Sequence, residues 1–202
     1  TPEVTAQLAL RAEVDELGIA AGWMDRAVQA LGAPTLVDRR VDPDTEIPRM
    51  EVVEPGGPIE LVVAWDPRGA SPSGRLHGSL RARLDAGEPE VVRCIDELVS
   101  TARRAATALR ASSIDDLVDA VDQSCALRDR LGALDDGTRV LVEAARAAGG
   151  VATSAGSGGA VLIVPRRRDA AAILAALGAH DVPAVAVTLG TPVVPAGPRQ
   201  EP

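Results

Sequence analysis

A run of four helical patterns between apolar strand segments is the feature that most limits the fold. Residues 59–65 are short, β-branched and bounded by turn residues, which predicts a strand. Apolar residues at helical spacing then follow at about 75–86, 89–110, 114–131 and 136–148. Further strands are predicted at Val151–Ser154, Val161–Val164 and Val182–Leu189, with a helix at 167–178. Strands and helices interleave only in the second half, which favours an α+β fold over a doubly wound sheet.

The segment before residue 59 has a different pattern. Apolar spacing predicts helices at 3–17 and 23–31, which end at Gly18 and Gly32. A short strand is predicted at Thr35–Val41. Residues 42–58 are rich in proline and glycine, so we expect a loop or a domain junction there.

The composition excludes several kinds of chemistry. The 202 residues contain no Lys and no Tyr or Phe, and the formal net charge is -8. A lysine-dependent phosphate loop or Schiff base is therefore impossible within these residues. An acidic chain without stacking aromatics is a poor nucleic-acid partner. No apolar segment approaches the ~18 residues of a membrane span. We therefore expect the protein to bind neither a nucleic acid nor a membrane.

Cysteine and histidine are scarce. Cys94 and Cys125 lie in predicted helices, where we expect small buried side chains and no disulfide. Two Cys and two His are too few and too scattered for a structural zinc site. Cysteine usage of this kind predicts a reducing, cytoplasmic location.

A glycine-rich segment between two predicted strands is the first candidate site. Residues 154–159 read Ser-Ala-Gly-Ser-Gly-Gly. Glycine permits positive φ, and successive backbone N–H groups in such a turn can hold an anion. The alternative is a hairpin turn that needs glycine for its conformation alone.

The second candidate is Asp25, in the first turn of a predicted helix. Its carboxylate can accept or steer a proton from a substrate hydroxyl, with Arg26 beside it to favour the ionised form. The alternative role is electrostatic stabilisation of the helix start. A third feature is the basic segment with Arg75, His77, Arg81 and Arg83. It suits an anionic small molecule or, alternatively, is a solvated helix face.

Together these segments resemble the GHMP family of small-molecule kinases. Gly22-Trp23-Met24-Asp25-Arg26 is similar to the segment that carries the family's catalytic aspartate, and residues 154–159 are similar to its glycine-rich third motif. Leu17–Gly22, Ser73–His77 and Leu127-Arg128 are most similar to glucuronokinase-like members. The resemblance covers roughly residues 7–190.

The resemblance implies ATP-dependent phosphorylation of a small-molecule hydroxyl, in a sugar or a sugar acid such as glucuronate, with ATP and Mg2+ as cofactors. It implies that Asp25 is the catalytic residue and assigns no metal ligand to this chain. The implied cofactor-binding loop is Gly156, Ser157, Gly158 and Gly159. The implied substrate contacts are Arg26, Arg75, His77 and Arg81.

The resemblance also implies a division of the chain. Residues 1–52 would end an N-terminal GHMP kinase domain, 53–190 would form a ferredoxin-like C-terminal domain with several helices, and 191–202 a loose Pro-rich tail. The family's Gly/Ser-rich second motif is absent from the sequence, and Thr1 is not preceded by Met. We therefore expect an N-terminally truncated chain that self-associates or is marginally stable, and that lacks the phosphate loop it needs for activity on its own. The alternative is a non-catalytic, kinase-derived module that binds a metabolite or a protein.

Overall fold

The fold was analysed in a computed structural model that describes residues 1–18, 21–41, 46–68, 74–156, 158–167 and 169–190, and omits the side chains of 39–41 and 74–78. The helices are α1 (Pro2–Arg11), α2 (Trp23–Leu31), α3 (Gly74–Asp85), α4 (Pro89–Ala111), α5 (Ile114–Arg130), α6 (Asp136–Ala147) and α7 (Ala170–Gly178). The strands are β1 (Thr35–Val41), β2 (Pro48–Val52), β3 (Ile59–Trp65), β4 (Gly150–Ser154), β5 (Ala160–Pro165) and β6 (Ala184–Leu189).

The N-terminal helices pack against each other, and a two-stranded antiparallel sheet follows them. The Thr1 side chain caps α1, which continues as a π-helical turn at Ala12–Glu16. Strand β2 lies inside the segment predicted to be a loop. It forms because β1 supplies the pairing partner, with Thr35 opposite Val52. Pro48 is tolerated because it is the first residue of an edge strand.

A four-stranded antiparallel sheet forms the centre of the C-terminal half, in the order β4-β5-β3-β6. Successive strand residues point to opposite faces. Leu61 and Val164 therefore share a core with α4 and α5, whereas Val62 and Ile163 share another core with α6 and α7. Helices cover both faces, and the α+β class predicted from the sequence is confirmed.

A third core joins α3 to the start of α4 and the end of α5. Cys94 and Leu127 are buried at its centre, and Leu80 of α3 packs against them. Both cysteines are buried and free, as predicted, and burial raises the pKa of each thiol. This core fixes α3, which carries the predicted basic segment, against α5.

Some element boundaries differ from the prediction. Helix α7 begins at Ala170, three residues late, because the Asp169 side chain accepts a hydrogen bond from the Ala172 N–H and caps it. Ser113 is the N-cap of α5, but its side chain does not accept from a backbone N–H of the helix. Its hydroxyl donates instead to the Asp116 carboxylate.

The predicted tail at 191–202 lies outside the described residues. Within the described part of the chain, no helix combines the length and the apolar character that crossing a bilayer needs.

Candidate functional site

The glycine-rich segment forms a tight turn between β4 and β5. The Ala155 N–H donates to the Ala160 carbonyl oxygen at 2.9 Å, which closes the turn. Gly156, Gly158 and Gly159 have φ of +76°, +122° and +74°. These conformations are costly for any residue with a Cβ, so glycine is required by the backbone itself. Ser157, the hydroxyl residue predicted here, lies outside the described residues.

The start of helix α6 supports this turn. The Asp135 side chain caps α6 by accepting from the Thr138 N–H at 2.7 Å. The fully buried Thr138 hydroxyl accepts from the Gly159 N–H at 3.2 Å. A Cβ on Gly158 would lie 2.5 Å from Asp135 Oδ2. The helix start and the turn therefore form one packed unit.

These contacts limit which amides of the turn can bind an anion. The Ala155 and Gly159 N–H groups already have acceptors within the protein. The N–H groups of Gly156 and Gly158 have none among the described residues. Among the described residues of the turn, an anion would therefore have two backbone donors, the N–H groups of Gly156 and Gly158.

The carboxylate of Asp66, directly after β3, lies at the same corner. The Asp66 N–H donates to the Gly159 carbonyl oxygen at 2.9 Å, and Asp66 Oδ2 would lie 3.9 Å from a Cβ on Gly137 in the first turn of α6. Arg68 Nη2 donates to Asp66 Oδ2 at 2.8 Å, and Arg68 Nε donates to Oδ1 at 3.0 Å. These bonds hold the pKa of Asp66 below its ordinary value.

The donor set described at the turn fits an oxyanion such as a phosphate oxygen. Two free amides suit an oxyanion, and the largely exposed Arg68 guanidinium offsets the charge of Asp66. No group of three or more His, Cys, Asp or Glu residues in the described part of the chain is placed to hold a metal ion.

Asp25 lies in the first turn of α2, as predicted, and its side chain is 65% exposed. Arg26 is mostly buried and binds elsewhere: its Nε donates to Glu13 Oε1 at 3.0 Å and its Nη2 donates to Glu13 Oε2. A longer contact, 3.5 Å, joins Arg26 Nη1 to Asp25 Oδ2. Arg26 therefore ties α2 to the π-helical turn, and the Asp25 carboxylate is left largely open to solvent.

The structure does not join Asp25 to the glycine turn by any hydrogen bond or ion pair within the described residues.

The basic segment lies on α3, as predicted. Arg81 Nε donates to Asp85 at 2.9 Å, so its charge already has a partner. The side chains of Arg75 and His77 lie outside the described residues.

Three residues at the glycine turn were not anticipated from the sequence: Asp66, Asp135 and Thr138. Asp135 has a sequence signal, because an Asp before an apolar helical pattern is a favoured N-cap. Asp66 directly follows a confident strand, at the edge of the sheet. Neither signal indicates that these residues meet a turn that lies more than twenty residues further along the chain.

Comparison with known proteins agrees with this architecture. Residues 105–182 match the family described as "GHMP kinases C terminal". Probable glucuronokinase 2 of Arabidopsis thaliana is 31% identical over 177 residues, which cover 80% of this chain and 45% of that protein. Glucuronokinase 1 of the same plant is 30% identical over 173 residues, with the same two coverages of 80% and 45%. The chain therefore spans less than half the length of these relatives.

Solved structures share the fold at low identity. Mevalonate kinase of L. major in complex with R-mevalonate has a TM-score of 0.70 and 18% identity, covering 93% of this chain and 58% of that one. Lactococcus lactis galactokinase complexed with galactose has a TM-score of 0.61 and 18% identity, covering 92% of this chain and 59% of that one. The resemblance to the GHMP kinase family is thus confirmed over residues 105–182, which match its C-terminal domain.

Proposed function

We propose that this chain takes part in the ATP-dependent phosphorylation of a hydroxyl group on a sugar or a sugar acid such as glucuronate. The observation that carries the proposal is the similarity to glucuronokinases across 80% of the chain. In this proposal residues 1–52 end an N-terminal kinase domain and residues 53–190 form the C-terminal domain.

Asp25 is proposed to orient the acceptor hydroxyl. Its carboxylate is 65% exposed at the start of α2, so a substrate can reach it without displacing a buried contact. An ordinary ionised carboxylate is a weak base, and phosphoryl transfer depends chiefly on positioning and charge stabilisation. Asp25 would therefore hold the hydroxyl through a hydrogen bond and accept its proton late in the transfer.

The glycine turn is proposed to bind an oxyanion through the amides of Gly156 and Gly158, with Ser157 as an additional hydroxyl donor. ATP supplies the phosphoryl group when bound, and Mg2+ neutralises charge that develops on the phosphates. The basic segment with Arg75, His77 and Arg81 is proposed to face the acceptor, and Arg26 is proposed to assist at Asp25. Arg81 would have to exchange its Asp85 partner for the substrate.

The test is a phosphate-transfer assay of the natural protein that contains these 202 residues, with ATP, Mg2+ and a panel of glucuronate, galactose and glucose. Asp25→Asn is expected to lower kcat by about 100-fold or more with little change in KM, because it removes the proton acceptor and the charge. Asp15→Asn, at another exposed aspartate of the N-terminal part, is the matched control and should retain wild-type turnover. Full turnover by a folded Asp25→Asn variant would contradict the role of Asp25. Lack of transfer to every acceptor would contradict the proposed function.

A further inference from the structure

Strand β6 forms one edge of the four-stranded sheet, and no further strand among the described residues pairs with its outer side. Its register with β3 is unbroken, from Ala184 opposite Ala64 to Leu189 opposite Ile59. The strand reads Ala-Val-Ala-Val-Thr-Leu and contains no charged residue and no proline. Natural edge strands are usually protected by charges, prolines or bulges, because a bare edge pairs with other chains. Strand β6 has none of these three forms of protection.

The opposite edge of the sheet is covered by helices. Val151 and Ala152 of β4 are fully buried, and both α5 and α6 pack along that strand. In β6, by contrast, Val185, Ala186 and Thr188 are exposed, and Val185 keeps 48% of its accessible surface. The two edges of one sheet are therefore treated differently, and β6 is the edge that is left open.

The helix beside this open edge is apolar on all sides. Helix α7 packs against β6, and every one of its residues is alanine, isoleucine, leucine or glycine. Ile173 and Leu177 are buried in the core on that face of the sheet, whereas Ala171, Ala172 and Ala175 are exposed. A helix that is apolar all round is normally covered all round. The uncharged surface of the edge therefore continues onto α7.

The charge of the chain favours a second copy at this surface. Residues 170–190 contain a single formally charged residue, Asp181, whereas 25% of the whole chain is charged. With a formal net charge of -8, two copies repel each other when their other surfaces approach. At β6 and α7 two copies can meet with few like charges in contact, and an acidic or a basic partner would find no complementary charge there.

The backbone of β6 determines how a second copy would pair. The Trp65 N–H of β3 donates to the Pro183 carbonyl oxygen at 3.1 Å. Hydrogen bonding alternates along an antiparallel strand, so Val187 directs its N–H and C=O groups toward β3, whereas Ala184 and Ala186 direct theirs outward. Pairing with another strand would therefore use the backbone groups on the side of the alanines.

A two-fold antiparallel pairing also has to keep each face of the sheet continuous. A register with Ala186 opposite Ala186 of the second copy meets both conditions, whereas a shift by two residues brings residues from outside the strand into the ladder. Val185 then lies opposite Val187 of the second copy, at positions without hydrogen bonds, where side chains are closest. Valines meet valines on the face with the core of α4 and α5, and alanine meets alanine on the face with α7.

We propose that β6 is a dimerisation edge, at which a second copy of this chain adds its own β6 antiparallel about a two-fold axis that passes at Ala186. The two sheets then form one continuous sheet across both copies, with α7 of each copy on the same side of it. The proposal rests on the open edge, on the apolar helix beside it and on the absence of charge. It is independent of the proposed kinase activity.

The experiment measures the molar mass of the natural protein that contains these 202 residues, by sedimentation over a range of concentrations. The wild type is expected to dimerise. Ala186→Glu places two carboxylates opposite each other and is expected to raise the Kd of the dimer by about a hundredfold or more. Ala186→Arg should have the same effect, and an equimolar mixture of the two variants should restore the dimer, because position 186 meets its own counterpart at the axis. Ala102→Glu, at an exposed alanine of α4, is the control for the added charge.

A crosslink gives a second readout that does not depend on charged variants folding. Residues directly opposite each other at a hydrogen-bonded position have Cα atoms about 5.5 Å apart, which a disulfide can span. Mild oxidation is therefore expected to link two copies of Ala186→Cys and to leave Ala102→Cys unlinked. Cys94 and Cys125 are buried, so they do not compete for the crosslink.

Three results would overturn the proposal. The first is a wild-type protein that stays monomeric. The second is a dimer that Ala186→Glu leaves unchanged and that oxidation of Ala186→Cys does not link, which would place the contact elsewhere, for instance on the apolar side of α1 and α2. The third is a monomer that dimerises once the residues after Gly190 are removed, which would show that the chain's own C-terminal segment covers β6.

Discussion

The N-terminal region, residues 1–52, and the C-terminal region, residues 53–190, are held together by different means. The C-terminal region has three hydrophobic cores on and beside its sheet. In α1 and α2 the buried hydrophobic side chains are two alanines, Ala6 and Ala27. Large apolar side chains of the same segment are exposed: Val4, Leu8, Val14, Leu17, Met24 and Val28. The proposed catalytic helix therefore belongs to the region with little core of its own.

What fixes α2 is mainly polar. Arg26 and Glu13 form a bidentate pair that is largely shielded from solvent. Between the regions, Arg110 of α4 donates to Glu51 at 2.6 Å, and the Val53 N–H donates to the Pro34 carbonyl oxygen at 2.8 Å. The comparison teaches that the C-terminal region can order itself by hydrophobic burial, whereas the N-terminal region depends on a few directed contacts. Its exposed apolar side chains are compatible with the predicted self-association, which stays a prediction.

The largest expected effect comes from a core substitution in the C-terminal region. Ile163 is fully buried in the centre of the sheet. Ile163→Ala is expected to lower the free energy of unfolding by about 2–5 kcal/mol, because it removes buried methyl groups and leaves a cavity. Urea denaturation followed by circular dichroism measures the change.

The matched substitution in the N-terminal region is Leu8→Ala. Leu8 is 61% exposed, so its removal is expected to change the free energy of unfolding by less than about 0.5 kcal/mol. Equal losses for the two variants would break the comparison, because they would show that Leu8 is covered in solution. A second copy of the chain on the apolar side of α1 and α2 would be one cause, visible as a change in sedimentation.

Most of the fold was predictable from the sequence, because the helices and the sheet strands have strong local signals. Strand β2 was not, since Pro48–Val52 becomes a strand only through pairing with β1. Gly18 and Gly32 end their helical segments in left-handed conformations, as their positions predict. The local periodicity of apolar residues thus predicts whether a segment is a helix or a strand. It does not predict which strands pair, because pairing depends on contacts between segments that are distant in the sequence.

The candidate site was only partly predictable. Spacing and resemblance indicated Asp25 and the glycine turn, and these assignments stay predictions. The surroundings of the turn depend on Asp135 and Thr138, which are distant in sequence. Tertiary contacts decide which polar groups are satisfied, so they decide which ones are free to bind a ligand.

A smaller effect is expected at the glycine turn, and it tests whether the tight packing of the C-terminal region extends to its site. Gly158→Ala is expected to destabilise the protein by about 1–3 kcal/mol, because φ is +122° and the new Cβ would approach Asp135 to 2.5 Å. Gly156→Ala meets nothing within 4 Å and carries only the cost of a φ of +76°, about 1 kcal/mol. Thermal denaturation compares the two variants. Equal Tm values would mean that the Asp135 side chain moves away from the new Cβ at little cost. The turn would then be packed no more tightly than α1 and α2.

The smallest effect concerns the surface of the C-terminal region. It shows whether ion pairs there add to the stability that the hydrophobic cores provide. The guanidinium groups of Arg93 and Arg130 donate to Glu90 and lower the pKa of its carboxyl from 4.5 to about 2. A lowered pKa in the folded state means that this contribution to stability is complete above about pH 4.5. It is lost as the pH falls toward 2. Because Glu90 is solvent-exposed, screening keeps the contribution small.

Arg130→Gln is expected to move the NMR titration midpoint of Glu90 upward from about 2 toward 4.5 and to reduce the loss of stability in acid. Arg104→Gln is the control, since Arg104 donates to the neutral Gln123 and should leave Glu90 unchanged. A wild-type midpoint near 4.5 would show that the pairs at Glu90 are not maintained in solution. The C-terminal region would then be stabilised by hydrophobic burial and not by its ion pairs at Glu90. The Arg26–Glu13 pair of the N-terminal region would have no equivalent at Glu90.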